Sequence, residues 1–132
     1  MTLHAFDQRA IPEETVRVAK AAFPKGNPYI KMRDELGVLY QDSEFADLFP
    51  TTGQAAESPG QLALVTVMQF AENLTDRQAA DAVRDRIAWK YVLSLELTNE
   101  GFDFSVLSEF RQRLLEYEAG QRLLDEMLEQ FR

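Results

Sequence analysis

The run QLALVTVMQFAENLTDRQAADAVRDRI, residues 61–87, decides how this chain folds. Its first half is apolar nearly all round, with Leu62, Leu64, Val65, Val67, Met68, Phe70 and Ala71 spread over every side of a helical wheel. A helix of that kind belongs in the middle of a bundle, because no face of it suits water. The β-branched run Val65-Thr66-Val67 would also fit a strand, but the length of the segment and its start signal, Ser58 followed by Pro59, favour helix. The second half opens at Thr75, which forms a capping-box pattern with Gln78. Beyond that cap, Ala79, Ala80, Ala82, Val83 and Ile87 make a small apolar face, and Arg77, Asp81, Arg84 and Asp85 a charged one. Two helices joined by almost nothing set the expectation of an all-α protein.

On the amino-terminal side, IPEETVRVAKAAF reads as a helix with Pro12 at its first position, Glu13 and Glu14 in the first turn and Lys20 near the end, in keeping with the helix dipole. PKGNP (24–28) is a turn by composition, and YIKMRDELGVLY after it reads as a second helix. A short helix SEFADLF is capped by Ser43 and stopped by Pro50. Residues 51–60, TTGQAAESPG, read as a linker inside one domain, since neither side of it is long enough for an independent core. On the carboxyl-terminal side, AWKYVLSLEL is helical as far as Ser94, and TNEGFD turns around Gly101. Ser105 or Asp103 then caps FSVLSEFRQRLLE, where Val106, Leu107, Phe110 and Leu114 form the apolar stripe. The last helix, QRLLDEMLEQFR, carries Leu123, Leu124, Met127, Leu128 and Phe131 on one side, an interface candidate for a homodimer or for another domain. The expected whole is one domain over residues 1–132, a compact bundle of six or seven helices with residues 1–11 loose.

Composition removes several classes of chemistry. There is no Cys and one His, His4, so thiolate and imidazole metal sites, Cys nucleophiles and a Ser-His-Asp triad all lack their reagents. No cofactor or metal is expected. The 22 acidic residues fall on helix faces and turns with no sign of convergence, and against 14 basic ones they give a net charge of −8. That charge favours solubility and disfavours a non-specific polyanion binder, so any nucleic-acid contact has to come from local clusters of Arg and Lys. Nothing in the chain resembles a signal peptide or a membrane span, which places it in the cytoplasm without a membrane partner.

One such cluster fits DNA. A buried helix, a capped support helix and a later helix with a Ser-rich start follow the order of a helix-turn-helix, although about 17 residues separate the last two where a compact motif allows 3–4. Ser105 and Ser108 lie at the start of the later helix, suited to phosphate oxygens, and Arg111, Gln112 and Arg113 are donors long enough for base edges. Arg84, Arg86 and Lys90, with Trp89 between them, would flank it as a phosphate clamp. On this reading Arg111→Ala and Arg113→Ala weaken DNA binding and leave the thermal transition nearly unchanged. The plainer reading pairs Arg77 with Asp81, Arg84 with Asp85 and Glu109 with Arg113 on a solvated surface, and makes Trp89 and Tyr91 core or rim aromatics.

Several long segments in order, FPKGNPYIKMRDELGVLY, EFADLFP, LALVTVMQFAENLTDRQAADAVRDRI, WKYVLSLELT and GFDFSVLSEFRQRLLE, together resemble the amino-terminal region of bacterial insertion-sequence transposases of the DDE class. The resemblance spans roughly residues 10–130. It implies a non-catalytic helical part that helps recognise transposon-end double-stranded DNA, or alternatively a protein-interaction or dimerisation module without DNA contact. It implies as well that the three metal-binding carboxylates belong to a separate RNase H-like catalytic domain, absent from this chain. Two positions depart from the family pattern: Gly60-Gln61 replaces Trp-Arg after the Ser-Pro motif, and Ala88 replaces an Asp before Trp-Lys-Tyr. The first puts a DNA contact from that helix start in doubt; the second would favour phosphate approach beside Arg86 and Lys90.

Overall fold

A computed structural model describes residues 10–38, 40 and 58–116, with Gln121, Asp125 and Glu129 beyond them. The described residues form six helices and no strand: α1 (Glu13–Ala22), α2 (Pro28–Leu36), α3 (Pro59–Glu72), α4 (Asp76–Asp85), α5 (Ile87–Val92) and α6 (Phe104–Leu115). The all-α expectation is met. The SEFADLF segment, residues 51–57 of the expected linker, and the stripe Leu123, Leu124, Met127, Leu128 and Phe131 lie outside the described residues.

Local chemistry sets most boundaries. Ser58 accepts from Gln61 N at 3.2 Å with Pro59 in the first turn of α3, and the Thr75–Gln78 capping box closes at 3.1 and 2.9 Å. Asn27 caps α2 through Tyr29 N at 2.9 Å, ahead of Pro28. Asp103 is the residue that caps α6, accepting from Ser105 N at 3.1 Å; Ser105 is already inside the helix. Pro12 precedes α1 as its cap, with an extended ψ of 143°. Asn73, left-handed at φ 60°, ends α3, and Leu74 N reaches back to Gln69 O at 2.9 Å, so only three residues separate α3 from α4.

Residues Leu62 to Gln69 of α3 are all buried, Thr66 included, whose hydroxyl donates to Leu62 O at 2.8 Å. The helical reading of Val65-Thr66-Val67 holds, but the apolar surround stops short of the end: Phe70 is 51% exposed. Ile87 departs from the sequence reading more sharply. Arg86 is extended (φ −102°, ψ 118°), which ends α4 at Asp85, so Ile87 opens α5 instead of extending the α4 face.

Two cores result, and the six-residue α5 feeds both. Trp89 and Val92 join the larger core with α3, the Ala79/Ala82/Val83 face of α4, and Leu107, Phe110 and Leu114 of α6. Tyr91 and Ile87 join the smaller one with Ala19 of α1 and Ile30 of α2. Accordingly α1 and α2 pack mainly on α5, whereas α6 packs on α4 and α3. Polar straps hold the shared region: Thr15 Oγ1 donates to Leu95 O at 2.7 Å and Gln61 Nε2 to Leu93 O at 2.6 Å. Both Trp89 and Tyr91 are core aromatics, 0% and 3% exposed.

Candidate nucleic-acid interface

The segment after α5 brings α6 back to α4. Gly101 adopts φ +76°, and a side chain there would lie 3.5 Å from Val83 Cγ1 and 3.8 Å from Ala80 O. Those distances are ordinary van der Waals contact, so it is the left-handed backbone that requires glycine here. Asn99 Oδ1 accepts from Gly101 N at 2.7 Å, and Arg84 Nε donates to Glu100 O at 3.2 Å. The support helix and the Ser-rich helix therefore pack directly in spite of the long connection between them.

The eight DNA-contact candidates divide into two groups. Arg86, Lys90 and Arg111 make contacts within the fold. Arg111 forms a bidentate pair with Asp76, Nη1 to Oδ1 at 2.6 Å and Nη2 to Oδ2 at 2.8 Å, and Gln69 Nε2 adds a third bond to Asp76 Oδ1 at 2.8 Å. That pair ties α6 to the start of α4 and, through Gln69, to α3. The Arg111 guanidinium holds the Asp76 carboxyl below the usual Asp range, ahead of the opposing effect of burial. Arg111→Ala is therefore expected to lower the thermal transition, a correction to the sequence reading.

Arg86 pairs with Glu72 at 2.7 Å and lies over the rings of Trp89 and Tyr29, 5.2 and 6.0 Å from their centres. Tyr29 donates to the other Glu72 oxygen, and the Arg86 contact holds the Glu72 carboxyl below its ordinary value. Lys90 is 3% exposed and donates from Nζ to Asn99 O at 2.7 Å; burial pushes its pKa down. Ala88 is buried too, so its departure from the family pattern changes the interior and not a surface beside Arg86 and Lys90. The other departure is structural as well: Gly60 is buried and Gln61 holds Leu93 O.

The remaining candidates lie on the outer side of α6 and its edge with α4. Ser105 is half-buried, donating from Oγ to Asp103 Oδ2 at 2.6 Å. Ser108, Gln112 and Arg113 are exposed, with Ser108 Oγ donating to Ser105 O at 3.0 Å. Helical spacing puts Ser105, Ser108 and Gln112 in one row. Arg84 is exposed and pairs with Asp81 at 3.6 Å, one turn back, where Asp85 was the expected partner. Arg77, expected beside Asp81, instead stacks over the ring of Phe104, the first residue of α6, at 4.2 Å. No spacing within α4 signals that contact, because its partner is far along the chain. The start of the row of hydroxyl and amide groups on α6 is thus flanked by Arg77 and Arg84 of α4, which lie against Phe104 and Glu100.

No group of three or more His, Asp or Glu among the described residues is placed to hold a metal ion, and no helix among them is long and apolar enough to cross a membrane. The described residues thus define the class of all-α proteins, with a buried central helix, α3, and an outer helix, α6, packed on α4. Residues 17–113 match the family described as Transposase domain (DUF772), and the chain belongs to that family. No curated protein and no solved structure matches it.

Proposed function

We infer that this chain is the DNA-end recognition part of a transposase of the insertion-sequence DDE class, with strand cleavage and transfer carried by a separate catalytic domain. Family membership gives the link to transposition. The observation that carries the DNA reading is the outer row of α6, Ser105, Ser108 and Gln112 with Arg113, exposed or half-exposed and flanked at its start by Arg77 and Arg84. Gln is suited to adenine edges and Arg to guanine, with the hydroxyls on phosphates. Arg111, bound to Asp76, sets how α6 sits on α4 and acts as a positioning residue.

Selection of duplexes from a random-sequence pool, followed by titration at low and moderate salt, tests this reading. A preferred sequence that matches the borders of the element is expected, and Gln112→Ala or Arg113→Ala should relax that preference while the thermal transition stays put. Binding that shows no preference and vanishes with salt would overturn it.

A further inference from the structure

The charge of the chain is unevenly distributed in a way that the α6 face does not use. Between Thr15 and Arg33 there are five basic residues, Arg17, Lys20, Lys25, Lys31 and Arg33, and no acidic one, whereas the rest of the chain has nine basic and 22 acidic residues. This stretch is most of α1 after Glu13 and Glu14, the 23–27 turn, and α2 as far as Arg33, short of Asp34. Two of its cations are built into the fold: Lys20 donates to Asp34 Oδ2 at 2.8 Å, and Arg33 to Ser94 Oγ at 3.1 Å.

Lys25 and Lys31 are exposed at the turn, and neither has an ion-pair partner among the described residues. The turn itself brings them together. Gly26 takes φ +93°, closed by Gly26 N donating to Phe23 O at 2.9 Å, and a side chain at Gly26 would come within 3.2 Å of Lys31 Cε. The Lys31 stem therefore lies against the residue next to Lys25, and both lysines are exposed around the same turn. Arg17 of α1 is exposed as well; its contact with Glu14 is between side chains 70% and 56% exposed. An ion pair that open to water adds little, so the guanidinium exchanges readily onto another anion.

We propose that this edge, with Lys25 and Lys31 at its tip and Arg17 further along α1, is a sequence-independent contact for the phosphate backbone of double-stranded DNA, separate from the α6 face. Lysines on flexible stems at a turn suit point contacts to phosphates and lack the planar fork by which Arg fixes a bidentate geometry. The proposal rests on the DNA reading given above. The net negative charge of the chain makes such a contact directional, because a polyanion is drawn to the local cations and not to the protein as a whole.

The test uses the full chain and a mixed-sequence DNA duplex of about 30 base pairs, three helical turns. In the double variant Lys25→Gln/Lys31→Gln, binding to this duplex is expected to weaken, with a log–log salt dependence shallower by about 2 than that of the parent. Its thermal transition should be unchanged, and its preference among selected sequences retained. An unchanged salt dependence in the double variant, with the parent binding normally, overturns this edge and leaves end recognition standing. A parent that binds the mixed duplex through these lysines but prefers no sequence removes end recognition and keeps the edge. A parent dimer that the double variant dissolves, with DNA binding unaltered, overturns the edge in favour of a second acidic copy of this chain as its partner. No duplex binding by the parent at all removes both.

Discussion

Arg111 of α6 and Asp76 of α4 meet through two parallel N–H···O bonds, 35 residues apart in sequence and with side chains 24% and 21% exposed. Asp76 sits in the first turn of α4, where the helix dipole favours a negative charge, so the carboxylate is stabilised from two sides. Arg111→Ala is expected to destabilise the protein by about 1–3 kcal/mol, the usual worth of charged hydrogen bonds. Asp76→Ala should cost a similar amount, and the double variant less than the two together. Thermal melts of the four proteins check this; additive losses would mean that the pair is not coupled.

Acid should act on the same contacts. The carboxyls of Asp76, Glu72 and Asp34 are all held below their ordinary values, chiefly by hydrogen bonds from Arg111, Arg86 and Lys20 respectively. A carboxyl with a lowered folded-state pKa contributes stability that is fully present above its unfolded value and is lost as pH falls through the folded one. Stability should therefore be flat near neutrality and fall below the ordinary values of 3.8 for Asp and 4.5 for Glu. Denaturant titrations over that range should show a shallower fall in Asp76→Asn than in the parent.

Gly101 sets the return of α6. Any other residue would be held at φ +76°, and Gly101→Ala is expected to cost about 1–2 kcal/mol on that ground. The contact at 3.5 Å to Val83 Cγ1 is ordinary, so the loss comes from the backbone and not from a clash. Gly37, also at positive φ but with nothing within 4 Å, is the control for backbone strain without the approach to α4.

Lys90 separates the clamp reading from the interior one. Lys90→Met keeps most of the stem and removes a buried charge, so stability should stay within about 1 kcal/mol of the parent or rise. Duplex affinity should be unchanged. A large loss of affinity at constant stability would restore Lys90 to the DNA contact.

Helix identity was legible wherever local chemistry set it. Ser58-Pro59, the Thr75/Gln78 box and the all-round apolar stretch of α3 are each read within a few residues, and each is found in place. The break at Arg86 was not, because Ala79 to Ile87 continue a helical apolar pattern, and only the destination of Ile87 in the smaller core separates α5 from α4. The candidate site was legible in residue type but not in assignment. Arg86, Lys90 and Arg111 have the chemistry of phosphate or base donors, yet their partners Glu72, Asn99 and Asp76 lie 9 to 35 residues away, and helical spacing carries no record of those meetings. Arg77 shows the converse. Its expected neighbour was Asp81, and an aromatic ring at the start of α6 holds it instead.

Trp89 is the single tryptophan of the chain, fully buried on the helix that both cores share, with Tyr29 edge-on at 6.3 Å and the Arg86 guanidinium over its ring. The protein thus carries an intrinsic fluorophore at the seam between its two halves, and no label is needed to watch that seam open. During unfolding, one red shift coincident with loss of helicity would mark the halves as parting in a single cooperative step. An emission change that runs ahead of the helical signal would identify the α1–α2 side peeling away first, with α3, α4 and α6 still assembled.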